Sequence, residues 1–141
     1  MNFQLTEKEA RQYSPLTMAF LGDCVYELLV RSAIVSAGST PVGNLHDAKI
    51  KLVCAGFQAK AADALMDSLT EEERSVYQRG RNAAGNTVPR NASPADYRKA
   101  TGLEALFGYL ELSGDTQRQQ TLFAAIWDMR EELLLQMKNK E

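Results

Sequence analysis

Three carboxylates stand in stretches where carboxylates are costly. Asp23 and Glu27 lie one turn apart in LTMAFLGDCVYELLVR, residues 16–31, and Glu104 lies in TGLEALFGYLEL, residues 101–112. Both stretches carry apolar residues at helical spacing: Leu21, Val25, Leu28 and Leu29 in the first, Leu103, Leu106, Phe107 and Leu110 in the second. Like charges one turn apart disfavour a helix by roughly 0.2–0.5 kcal/mol. Burial among Phe20, Cys24 and Tyr26 would add to that cost. A bound cation removes it, and carboxylate oxygens are the ligands that a hard ion such as Mg²⁺ takes. Glu104 is flanked on its own face by Ala100, Thr101, Gly108 and Glu111, mostly small, which leaves room for a partner helix, a metal or a substrate strand. The plainer alternative pairs Glu27 with Arg31, turns Asp23 to water and makes Glu104 an exposed acid on an amphipathic helix.

Other chemistries find little support. His46 is the single histidine, too little for a histidine-based triad or metal cluster. Cys24 and Cys54 make neither a disulfide framework nor a zinc site and read as reduced thiols. The net charge of −2 gives no global sign of nucleic-acid binding, but its distribution does. Between Arg74 and Lys99 six cations face Asp96 alone. Such a patch suits a phosphate-binding surface. Within it Arg79, Arg81, Asn82 and Arg90 are the candidates to hold phosphates, beside a loop from Gly85 to Ala92.

These residues need helices to position them. The 141 residues, 45% hydrophobic, fit one domain spanning 1–141. Thr6 with Glu9 predicts a short first helix. Ser14 and Pro15 open the Asp23 helix, which runs to about Ala37. Asn44 is expected to cap one helix from Leu45 to about Asp67, burying Ile50, Val53, Phe57, Ala61, Ala64 and Leu65. Thr70 with Glu73 starts a helix to about Asn82. Ser93 and Pro94 start the Glu104 helix, with a bend expected near Gly102 and an end at Gly114. Asp115 caps the last. No alternating strand pattern appears, so the reading is all-α with about five main helices. No run is apolar enough to span a membrane and the first residues are too polar for a secretory signal, which makes the cytoplasm the expected location.

Taken together, FLGDCVYE and LEALFGYLEL resemble the two signature helices of the ribonuclease III catalytic domain. RGRNA, residues 79–83, and the length of the chain resemble its small bacterial branch, the Mini-ribonucleases III, which lack a separate double-stranded-RNA-binding domain. The resemblance covers nearly the whole chain and implies the helical bundle of that domain. It implies that Asp23 and Glu104 are the metal-binding catalytic positions. Two acidic positions of the larger enzymes are occupied here by Ala19 and Thr101, as in the small branch, which leaves open how many metal ions bind. The implied activity is Mg²⁺-dependent hydrolysis of double-stranded RNA that leaves a 5′-phosphate and a 3′-hydroxyl. The implied role is maturation of the 5′ and 3′ ends of the 23S ribosomal RNA precursor by a homodimer, with or without a ribosomal protein helper. With no histidine or lysine base at either motif, the metal is expected to activate the attacking water. The alternatives are a non-catalytic RNA-binding or ribosome-associated module of the same fold, and a helical protein-interaction domain.

Overall fold

The computed structural model describes residues 3–85, 88–90 and 92–139. Its elements are α1 (Glu7–Arg11), α2 (Pro15–Ser36), α3 (Val42–Val53), α4 (Ala55–Leu65), a 3₁₀ turn (Met66–Ser68), α5 (Glu71–Ala83), α6 (Pro94–Leu112) and α7 (Thr116–Lys138). Among the described residues there is no strand, and no helix is long and apolar enough to cross a membrane. The fold is an all-α bundle.

Local chemistry sets most helix starts. Thr6 and Glu9 form a capping box on α1, and Thr70 and Glu73 form another on α5. The Ser93 hydroxyl accepts the Asp96 N–H at 3.1 Å ahead of Pro94, and the Asp115 carboxylate accepts the Arg118 N–H at 3.1 Å. Gly114 turns the chain between α6 and α7 at φ +75°, a conformation that favours glycine. Ser14 makes no side-chain cap; Pro15 alone marks the start of α2.

Helix α6 is the axis of the molecule. Every residue from Ala100 to Leu110 is buried except Glu104. Helices α2, α4 and α5 pack around α6, and α7 lies on α4. Tyr26 of α2 meets Phe107 of α6 and Phe123 of α7 edge-to-face, at 5.8 and 6.1 Å between ring centroids. Glu73, buried at the start of α5, is gripped by Arg118 through two bonds of 2.8 and 2.9 Å, while Arg118 also donates to the Ser68 carbonyl at 2.8 Å. Burial pushes the Glu73 carboxyl up. Hydrogen bonds from Arg118 and the Thr70 backbone outweigh this and hold it below the usual carboxylate value.

The single helix expected from Leu45 to Asp67 is two helices. Helix α3 begins earlier, at Val42 after Pro41, and the chain is extended at Cys54 (φ −67°, ψ 155°). The break frees carbonyls at the end of α3, and side chains take them up. Tyr26 Oη donates to Leu52 O at 2.6 Å, Gln58 Nε2 to Val53 O at 2.9 Å and Cys54 Sγ to Lys51 O at 3.7 Å. Of these donors Tyr26 comes from a distant helix and brings tertiary packing to bear on the break, while Gln58 and Cys54 act locally. The break also redirects the chain, so Ile50 is 46% exposed and Ala64 exposed rather than buried, while Phe57, Ala61 and Leu65 enter the core. Helix α6 runs unbroken through Gly102, which serves close packing. A Cβ there would lie 2.8 Å from Tyr77 O.

Candidate active site

The acid pair is assembled by a helix crossing without side chains between the backbones. A Cβ on Gly22 would fall 1.6 Å from Glu104 O and 2.7 Å from Gly108 N. A Cβ on Gly108 would fall 1.8 Å from Met18 O. Only glycine at both positions lets α2 and α6 touch this closely. Asp23 follows Gly22 directly, so its carboxylate leaves α2 beside the crossing, next to the carboxyl of Glu104. Asp23 is exposed and Glu104 half-buried.

The electrostatics record that meeting. Burial pushes the Glu104 carboxyl up to about 8, the negative charge of Asp23 and a hydrogen bond with it push in the same direction, and Gln58 opposes them. A buried carboxyl raised in this way and set beside a second carboxylate is a place where a bound cation would be welcome, because it would favour the ionised form of Glu104. Two carboxylates are a sufficient protein contribution for Mg²⁺, which retains waters and takes substrate phosphate. The donor set therefore fits a hard divalent ion. Among the described residues no group of three or more His, Cys, Asp or Glu is arranged to hold a metal.

Glu27 stands apart from the pair. Its carboxylate is 2.8 Å from Arg31 Nη2 and 4.0 Å from Lys49 Nζ, the pairing that the plainer reading foresaw, with Lys49 added. Ala19 and Thr101 are buried, and the Thr101 hydroxyl donates to Tyr97 O at 2.9 Å.

Helix α5 brings the basic segment to the same axis. A Cβ on Gly80 would lie 2.7 Å from the Ala105 Cβ and 3.0 Å from the Gly102 Cα, so the RGRNA end of α5 is pinned to α6 at Thr101, Gly102 and Ala105. Arg81, Asn82 and Arg90 are exposed. Arg79 is half-buried, and its guanidinium donates to Arg11 O at 2.7 Å and Tyr13 O at 3.2 Å, which ties α5 to the end of α1. Arg74 Nε donates to Met66 O at 3.0 Å. Asn86, Thr87 and Asn91 of the loop expected between Gly85 and Ala92 lie outside the described residues.

Gln58 is the residue that sequence reasoning missed. It is 3% exposed, and its Nε2 lies 3.5 Å from Glu104 Oε2. A glutamine in an alanine-rich run 46 positions away carries no local sign of this contact.

This all-α bundle belongs to the ribonuclease III family of endoribonucleases: the profile of the Ribonuclease III domain matches residues 16–115. Within the family it is similar to the Mini-ribonuclease 3 of Thermoanaerobacter sp., 42% identical over 118 residues that make up 84% of this chain and 83% of the relative. It is also similar to the Mini-ribonuclease 3 of Symbiobacterium thermophilum, 44% identical over 117 residues, 83% of this chain and 90% of the relative. A crystal structure of a Fusobacterium nucleatum protein superposes with a TM-score of 0.75 at 28% identity, covering 82% of this chain and 94% of that one.

Proposed function

We propose that the chain, as a single catalytic domain over residues 1–141, is a Mg²⁺-dependent endoribonuclease specific for double-stranded RNA. Its proposed cellular role is cytoplasmic maturation of both ends of the 23S ribosomal RNA precursor. The observation that carries this reading is the convergence of Asp23 and Glu104 across the Gly22–Gly108 crossing, where the Glu104 carboxyl is pushed up to about 8 by burial and by Asp23. Asp23 and Glu104 would hold the ion. When bound, Mg²⁺ polarises the scissile phosphate, acidifies the attacking water and stabilises the leaving oxygen.

The remaining residues bind and orient. Arg81, Asn82 and Arg90 are exposed in the basic segment and would take backbone phosphates. Arg79, engaged with the end of α1, holds the helix that presents Arg81 and Asn82. An A-form duplex is read mostly by shape, phosphates and 2′-hydroxyls, so these residues confer little sequence preference. The choice of the ribosomal precursor would then rest on RNA shape or on a ribosomal protein that presents it.

A homodimer follows from the outer face of α2. Leu16, Phe20, Cys24 and Leu28 recur every four residues, and the three apolar side chains are 49%, 84% and 64% exposed. Val25 and Leu29 pack against the core instead, and Leu21 is partly exposed. A two-fold interface on that stripe would bury it and place one acid pair for each strand of the duplex.

The test is incubation of the protein with a plain RNA duplex with and without Mg²⁺. Cleavage only with Mg²⁺, leaving 5′-phosphate ends, is expected. Binding of the duplex without cleavage would establish a non-catalytic RNA-binding module instead.

A further inference from the structure

Gln58 buries a polar side chain that packing alone does not explain. A methionine would fill the same space with no polar atom to satisfy. The amide has one side in use and one idle. Nε2 donates to Val53 O at 2.9 Å and faces Glu104 Oε2 at 3.5 Å, whereas Oε1 is buried with no hydrogen-bond partner among the described residues. Both neighbours of Nε2 are acceptors, which fixes the orientation of the amide. A half-satisfied buried amide is unfavourable relative to an apolar group of the same shape. Its role therefore lies in what Nε2 joins.

The two atoms joined belong to different parts of the fold. Val53 O is a carbonyl freed where α3 breaks at Cys54, and Glu104 is the inner acid of the site. Tyr26, from the helix of Asp23, anchors the neighbouring carbonyl of Leu52. The break thus supplies a fixed acceptor that holds the Gln58 amide in place, and the amide in turn faces one oxygen of Glu104. We propose that Gln58 is a positioning residue that orients the Glu104 carboxylate toward Asp23 for cation binding. The inference rests on the two-acid site described above. Partners of metal-ligating groups commonly shift metal affinity ten- to a hundredfold when removed. The 3.5 Å separation is expected to shorten when Glu104 is fully ionised on a cation.

The test uses Mn²⁺ alone as the probe, titrated into RNA-free protein and followed by electron paramagnetic resonance. Gln58→Met should keep the wild-type melting temperature or raise it, and weaken Mn²⁺ binding about tenfold or more. Gln58→Leu provides the same comparison should the methionine variant fail to fold. In cleavage assays the Mg²⁺ concentration for half-maximal rate should rise by a similar factor, with a smaller loss at saturating Mg²⁺. A glutamine that merely packs would move the melting temperature and leave Mn²⁺ affinity unchanged. Unchanged affinity in a folded variant overturns the inference while leaving the site intact. A wild-type protein that binds no Mn²⁺ at millimolar concentration overturns the two-acid site and this inference with it.

Discussion

A methyl group on Gly22 would lie 1.6 Å from the carbonyl oxygen of Glu104. The residue before one acid thus touches the backbone of the other, and the spacing of the pair is set by main-chain contact rather than by side-chain packing. Backbone atoms cannot step aside as a flexible side chain can. Gly22→Ala must therefore open the α2–α6 crossing. We expect it to cost about 1–3 kcal/mol or more in chemical denaturation. A displacement of the order of 1 Å at the acid pair should lower single-turnover cleavage by about a hundredfold. A variant of wild-type activity would show that the crossing does not set the site.

The raised carboxyl of Glu104 has a defined consequence for stability. Its ordinary value is 4.5 and its folded value about 8, so the folded protein holds this proton more tightly than the unfolded chain. The associated stability is present below about pH 4.5 and is lost as the pH rises through about 8. In EDTA the melting temperature should therefore fall across that window. Glu104→Gln should flatten the slope, and Mg²⁺ should restore stability at the alkaline end by binding the ionised pair. A slope that is the same in Glu104→Gln would place the proton elsewhere.

Phe20 gives a clean test of assembly because it is 84% exposed and contributes little to the core of its own subunit. Phe20→Asp should leave helicity and melting of the subunit close to wild type and yield monomers in sedimentation at micromolar concentration. A wild-type protein already monomeric under those conditions would argue against the α2 stripe as an interface.

Much of this arrangement is legible in the sequence, and the exceptions share a cause. The capping boxes at Thr6 and Thr70, Pro15, and the Ser93–Pro94 pair mark helices by contacts within a few residues, and each is found where it was expected. The two acids stand out because they interrupt apolar helices. That Gly22 and Gly108 bring them together is visible only when both helices are placed. The break at Cys54 has no local signal. It is held by Tyr26 from another helix and by Gln58, so single-helix periodicity runs straight through it. Arg79 is similar: its charge suggests a phosphate contact, but its guanidinium is taken by two carbonyls at the end of α1.

Arg81 and Arg90 remain exposed in that basic segment and carry the expected salt dependence of RNA binding. Removing one cation that neutralises a phosphate should flatten the slope of log affinity against log salt by about 1. Arg81→Ala combined with Arg90→Ala should weaken duplex binding and reduce the slope by about 2, measured by filter binding in Ca²⁺. Cleavage at saturating RNA should fall less than when either acid is removed. An unchanged slope would mean that the duplex is held by another surface.

The central claim is that Asp23 and Glu104 act as one cation-holding pair for RNA cleavage. The direct measurement is the single-turnover rate on a duplex in saturating Mg²⁺ for Asp23→Asn, Glu104→Gln and the double variant. Each single variant should retain the wild-type circular dichroism spectrum and duplex affinity, yet fall to about one-thousandth of the wild-type rate or below, a loss of several kcal/mol of transition-state stabilisation. The double variant should be no slower than the singles, because the two residues work as a unit. Cleavage near the wild-type rate by either folded single variant would contradict the account.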